Sequence, residues 1–476
     1  MKHIKYVIAL IGTLFIVQTG FAQLRLPRFF SDHLVLQHDT ITPFWGWARA
    51  GREVKIHAGW MKDTIKTVAT GEAQWKINLP TAKPGGPYEI TAVSDGDTLI
   101  LRDVLLGEVW ICSGQSNMQR NAGDKLQEMV DRLPTISNPN IRLLQIANIA
   151  SAYPQSDVYN VWMPCDSSSA ARFSAIGYFF AEKLQQELNI PVGIINASWG
   201  GTSAEVWTPQ EVIAANKELS EKAKLQVTAP RKPNLPGRAW NSMIAPYAGY
   251  TIAGALWYQG ENNVVSWDSY ELLFSKMIAK WREEWGYNFP FYFAQIAPYT
   301  YKNKDLPKAA LLREAQTNTM LHNQDVKMVV TSDLVTNVKD IHPTRKKEVA
   351  LRLADIALAE HYKKINKNPY SPVYKSHQVK GDKIIVDFYF MDNQHLVIKG
   401  KNVNELYIAG EDRKFYPAKA RIDKNKLIVF SDNVKKPVAV RFAFSETAET
   451  NLYSSNGLPV ALFRTDDWNQ FTTANH

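Results

Sequence analysis

Cysteine is almost missing from this chain: 476 residues carry two, Cys112 and Cys165. A disulfide framework is therefore excluded as the source of stability, and the fold must rest on burial of apolar surface. Cys112 lies inside an apolar run, where a packed free thiol is expected rather than a bridge. Strong charge is missing too. The net charge is +9, and without Lys2 and Lys5 at the start it is +7. Basic residues come only in pairs and triplets such as Arg345-Lys346-Lys347, too scattered for a nucleic-acid interface. His33, His38 and His57 stand at no metal-ligand spacing, and neither do other His, Cys, Asp or Glu residues, so no metal and no cofactor are expected. Internal repeats and low-complexity segments are absent. The one long hydrophobic stretch is Tyr6 to Val17, behind Lys2 and Lys5 and ahead of Gly20-Phe21-Ala22. It is shorter than the roughly 20 residues a spanning helix needs. Residues 1–22 thus read as a cleavable signal peptide with no lipid-accepting cysteine, which implies a periplasmic or secreted protein with no membrane span after cleavage.

What remains divides into three patterns. Residues 23–101 alternate polar and apolar side chains at a period of two, as in Glu53–His57 and Gln74–Leu79, and Asp95-Gly96-Asp97 marks a tight hairpin. A small β-sandwich is expected there. Residues 102–365 change to apolar strands separated by amphipathic helices. The expected strands are Val109–Cys112, Ile141–Ile146, Val192–Asn196, Ile252–Tyr258, Phe291–Ile296 and Lys327–Thr331. The expected helices are Ser174–Leu188, with Ser174 as cap, Lys308–His322 and Thr344–Tyr362. Such alternation predicts an α/β domain with a mostly parallel sheet and helices on both faces. Residues 366–476 return to period-two alternation, as in Lys383–Phe388 and Lys426–Phe430, which gives a C-terminal β-rich region. Whether the two β regions share one sandwich is not settled by the pattern.

Four stretches of the middle region carry chemistry, each at a strand end or before a helix. In Gly114-Gln115-Ser116-Asn117-Met118 a serine follows a buried strand, where an open α/β sheet presents ligands to free backbone N–H groups. Asn196-Ala197-Ser198-Trp199-Gly200-Gly201-Thr202 offers glycine N–H donors and an indole able to stack on a sugar ring. Gln259-Gly260-Glu261-Asn262-Asn263 crowds amides and a carboxyl into one turn, and side-chain amides can complete an oxyanion hole. Asp340-Ile341-His342-Pro343 places a carboxylate two residues before a histidine, on the same side of an extended segment, which suits a base and its orienting partner. Asp333 is the competing carboxylate.

Together these blocks resemble the SGNH-hydrolase superfamily. More narrowly, Gly-Gln-Ser-Asn-Met, Gln-Gly-Glu-Asn and Asp-Ile-His-Pro resemble the sialate O-acetylesterase family of carbohydrate esterases, whose tail is also similar to the segment from Asn451 to Trp468. The resemblance implies a flavodoxin-like SGNH-hydrolase core and metal-free hydrolysis of acetyl esters on sugars. By position, Ser116 would be the nucleophile, His342 the base and Asp340 its partner. Gly201 and Asn262 would be oxyanion donors, with Gln259 or Asn263 able to replace Asn262, and Gln115, Trp199 and Glu261 would line the substrate. The superfamily's usual spacing is Asp-x-x-His, and this chain has Asp-x-His. The expected substrate is an acetylated carbohydrate, first an O-acetylated sialic acid. Alternatives are an acetylated xylan or pectin, or a carbohydrate-binding homologue without activity. A lipase is disfavoured because residues 120–131, beside Ser116, are mostly polar. A sialate carboxylate calls for an arginine fork, and Arg120, Arg238, Arg313 and Arg345 are near the blocks.

Overall fold

The computed structural model describes residues 23–227, 230–301 and 307–468; the expected signal peptide, residues 1–22, lies outside them. One strand organises the rest: β1 (Asp97–Gly114) is 18 residues long. Its first half pairs antiparallel with the strand Gly85–Ser94, through the expected hairpin. Asp95 and Gly96 both have positive φ, 50° and 89°, as a two-residue hairpin turn requires. Its second half is buried on both faces and enters a parallel sheet. β1 thus runs without a break past residue 101, where the sequence pattern changes. His38 reinforces the junction, with its Nε2 2.8 Å from Glu108 Oε1.

The sheet continues with β2 (Ser137–Gln145), β3 (Met163–Asp166), β4 (Val192–Ser198), β5 (Gly254–Tyr258), β6 (Phe291–Ala294) and β7 (Val326–Val329). Their spatial order is β7-β6-β5-β1-β4-β2-β3, parallel except for β3. Each strand overlaps its expected segment, and β3 is additional. The chain fills one side of β1 up to β4, then crosses to β5 on the other side. Ligands bind at such a reversal, beyond the carboxyl ends of the strands.

Alternation along β1 divides the core. Val109 and Ile111 face one hydrophobic layer, and Trp110 and Cys112 face another. The second layer is covered by α2 (Ala175–Leu188), capped by Ser174 as expected, and by α5 (Lys346–Glu360). α1 is the single turn Ser116–Gln119. The first layer is covered by α3 (Tyr270–Trp285) and α4 (Lys308–His322). α3 was not among the expected helices, yet its buried Tyr270, Leu273, Phe274, Met277, Ile278, Trp281 and Trp285 follow a helical period. Trp110 is fully buried between Phe180 and Tyr292, with centroids 5.1 and 5.7 Å away. Both cysteines are buried and free.

The C-terminal strands form separate sheets around their own apolar cluster, and among the described residues none pairs with an N-terminal strand. They dock on α4, where Arg464 grips Glu314 with two hydrogen bonds of 2.8 and 2.7 Å. No helix among the described residues is long and apolar enough to cross a membrane.

Gly114 ends β1 with φ +128°, and a Cβ there would lie 2.3 Å from Tyr258 O of β5. Gly114→Ala must force the two central strands apart or strain the backbone. We expect a loss of about 2 kcal/mol or more in denaturant unfolding, and an unchanged midpoint would show that the strand ends separate freely.

Candidate active site

Three adjacent strands, β4, β1 and β5, deliver three of the blocks to one edge of the sheet. Ser116 opens α1 immediately after β1, partly exposed. The loop after β4 comes so close that a Cβ on Gly200 would stand 3.2 Å from Ser116 Cβ and press on the serine. The fourth block reaches the same point from the loop before α5. His342 Nε2 lies 3.0 Å from Ser116 Oγ, although 226 residues separate them.

Asn117 explains how two such distant residues keep hydrogen-bond distance. Its Nδ2 donates to Ile341 O at 3.1 Å, which fixes the backbone immediately before His342. The same amide donates to Glu261 Oε1 at 2.5 Å, and Asn117 Oδ1 accepts from Lys346 Nζ at 2.5 Å. Glu261, Asn117 and Lys346 are all buried. Burial pushes the Glu261 carboxyl above its ordinary range and drives the Lys346 ammonium down to about 7. Neither Asn117 nor Lys346 was singled out in the sequence. The only signals in the sequence are that Asn117 follows Ser116 and that Lys346 lies four residues beyond His342.

Asp340 differs from expectation. Its Oδ1 accepts the backbone N–H of His342 at 2.9 Å and stops 3.7 Å from ring Nδ1, outside hydrogen-bond range. With one residue between them, the carboxylate closes on the nearby backbone donor before it reaches the ring. Arg120 takes the ring position, with Nη2 2.8 Å from His342 Nδ1. A guanidinium can only donate, so Nδ1 accepts and the neutral ring carries its proton on Nε2, toward Ser116. Burial, with Arg120 and Lys346 nearby, lowers the His342 pKa from its usual 6.5, and Asp340 and Asp124 oppose this. The competing Asp333 is used elsewhere: both oxygens bind Arg352, at 2.9 and 2.7 Å. Of the other arginines, Arg313 is buried and donates to Ser445 O, and Arg345 is exposed.

The amide block sorts itself by burial. Gln259 is fully buried, its Nε2 donating to Asn263 Oδ1 at 2.7 Å and Thr202 O at 3.2 Å. Asn263 is equally buried and donates to Glu205 at 2.9 Å. Both therefore brace the loop. Asn262 faces outward and uses one N–H on Gly201 O at 2.9 Å, which clasps the loops after β4 and β5 together. Gly201 has φ +75°. The Gly200 N–H is taken by Gln119 Oε1 at 2.7 Å. Among the expected substrate contacts, Trp199 is half-buried, whereas Gln115 and Glu261 are buried within the loops. Gln115 Oε1 accepts long bonds of 3.4 Å from Gly260 and Asn262.

A serine hydroxyl and an imidazole stand in contact at the strand ends of an open α/β sheet, an arrangement suited to ester hydrolysis. Residues 106–362 match the family of carbohydrate esterases described as sialic acid-specific acetylesterases, and the chain belongs to that family. It is similar to a carbohydrate acetylesterase of Xanthomonas citri of known structure, with 33% identity and a TM-score of 0.86, covering 94% of this chain and 100% of that one. It is 26% identical to the sialate O-acetylesterase of Mus musculus, covering 88% of this chain and 89% of the relative. The Homo sapiens enzyme of the same name is 27% identical, with 92% of each covered. The chain is an O-acetyl-removing carbohydrate esterase.

Two predictions follow from the geometry. A base must be neutral to accept a proton, so kcat/KM should fall as pH drops through the lowered His342 pKa. The acid-limb midpoint is then expected below 6.5; a limb centred at or above that value would contradict the ring's environment. The two carboxylates should also separate. Asp340→Asn should keep the fold, because an amide oxygen can still accept the His342 N–H, and lower kcat by about a hundredfold, because it removes the carboxylate nearest the imidazolium that forms when the ring takes a proton. Asp333→Asn should instead leave kcat unchanged and cost roughly 3 kcal/mol of stability, because the buried Arg352 loses its two-bond partner and keeps Glu348 and the Val330 carbonyl. Kinetics beside thermal unfolding checks both, and the reverse pattern would assign the base's partner to Asp333.

Proposed function

We propose that this chain removes O-acetyl groups from sialic acid by serine catalysis and works outside the cytoplasm. The observation that carries the mechanism is the 3.0 Å contact between Ser116 Oγ and His342 Nε2. When Nε2 is free of its proton it takes the proton of Ser116 as Oγ attacks the acetyl carbonyl carbon. The Gly201 N–H and the second Asn262 N–H are the donors proposed for the resulting oxyanion. Collapse breaks the bond to the sugar oxygen, which leaves with the proton from Nε2. Water, activated by the same histidine, then releases acetate. Asp340 steadies the imidazolium from the Nδ1 side, and Trp199 offers a face for the sugar.

Sialate is favoured over a neutral sugar by the names of the mammalian relatives and by Arg120, a partly exposed guanidinium in contact with the base. Export is supported by the basic start, apolar run and small residues of positions 1–22, and the periplasm or the medium is the proposed location.

Purified protein should release acetate faster from O-acetylated sialic acid than from acetylated xylan, and Ser116→Ala should abolish turnover on either without a change in unfolding midpoint. Faster release from xylan would transfer the assignment to plant polysaccharide, and substantial turnover by folded Ser116→Ala would overturn the serine mechanism.

A further inference from the structure

The base as it stands is in the wrong tautomer. Arg120 Nη2 donates to His342 Nδ1 at 2.8 Å, so the ring proton is on Nε2, the nitrogen that must accept from Ser116. Two features favour an exchange of this arrangement. The Arg120 backbone is fixed, its N–H donating to Ser116 O and its carbonyl accepting from Ala175 N. Its side chain is held more loosely: among the described residues it makes a 3.6 Å approach to Asp124 besides the imidazole, and it is 27% exposed. Asp340 Oδ1 already waits 3.7 Å from Nδ1 and is half exposed.

We infer that Arg120 is a specificity-determining residue that holds His342 in its unproductive tautomer until a carboxylate on the substrate draws the guanidinium away. This rests on the Ser116–His342 reading above and adds a selection rule to it. A carboxylate matches the guanidinium fork with two charge-assisted hydrogen bonds, whereas the imidazole nitrogen offers one neutral acceptor. As Arg120 turns to the carboxylate, Nδ1 loses its donor. The ring releases the Nε2 proton to water and takes another from water at Nδ1, leaving its charge unchanged. Asp340 then accepts the new N–H once it closes from 3.7 Å to under about 3.2 Å. Nε2 now presents a lone pair to the Ser116 hydroxyl, and attack proceeds. A neutral acetylated sugar binds without that exchange and meets a base whose productive tautomer is scarce. The carboxylate thus acts on kcat, not only on binding.

The test uses the full chain and three acetyl esters: O-acetylated sialic acid, its carboxyl methyl ester, and 4-nitrophenyl acetate. We expect the wild type to turn over the acid with a kcat about tenfold or more above that of the methyl ester. In Arg120→Met the ratio should fall to within about twofold, because the two neutral esters speed up severalfold. Arg120→Lys, which keeps the charge without the fork, should fall between. Imidazole ¹⁵N shifts of His342 give a readout that does not need turnover. The proton should be on Nε2 in the free protein and move to Nδ1 when N-acetylneuraminate without O-acetyl groups is added, also in Ser116→Ala. A preference expressed only in KM, an Arg120→Met that slows neutral and acidic esters alike, or a tautomer unmoved by N-acetylneuraminate would each overturn the inference. Failure of the underlying mechanism looks different, since folded Ser116→Ala would then stay active.

Discussion

Everything the site can do depends on the hydrogen bonds of one buried amide. Asn117 sits beside Ser116 yet spends its side chain on two of the other three blocks, on Ile341 O before His342 and on Glu261 after β5. A serine and a histidine brought together only by packing would drift by fractions of an ångström, and small misplacements of reacting groups are costly in rate. Tying the backbone next to one to the backbone next to the other removes that freedom.

The same amide brings Lys346 and Glu261 into the interior, and burial opposes charge on both. Ionic groups buried in this way contribute little to stability against well-packed apolar replacements. Their effect is better read as specification: a polar connection with few geometric solutions, placed where the loops after β1 and β5 and the start of α5 must meet in one arrangement. The neighbouring group of Gln259, Asn263 and Glu205 braces the turn after β5 in the same manner.

The parallel sheet was legible because its strands are short apolar runs and its helices keep an apolar stripe. α3 had the same stripe as its neighbours, so its signal was present in the residues. Ser116 and His342 were legible from their places at a strand end and before a helix. Roles inside the amide block were not. Gln259, Asn262 and Asn263 are chemically alike and adjacent, and only their burial, decided by residues such as Glu205 and Thr202 far away in sequence, distinguishes the outward Asn262 from the other two. Asp340 was found near its histidine, but sequence spacing could not foresee that it would satisfy a backbone N–H first and leave Nδ1 to Arg120. Asn117 and Lys346 are not legible in the sequence, because an asparagine and a lysine acquire meaning only from partners, and the two lie 229 residues apart.

The unbroken course of β1 has a consequence for how the protein comes apart. Its first half is a ladder strand of the outer, mostly antiparallel sheet, and its second half is the central strand that ends at the Ser116 turn. Melting the outer sheet would expose apolar surface along the same strand that holds the inner one, so the two layers share a single cooperative unit. A partly unfolded population with an intact esterase centre and a lost amino-terminal sheet is therefore disfavoured, and proteolysis of the outer layer becomes equivalent to loss of the enzyme.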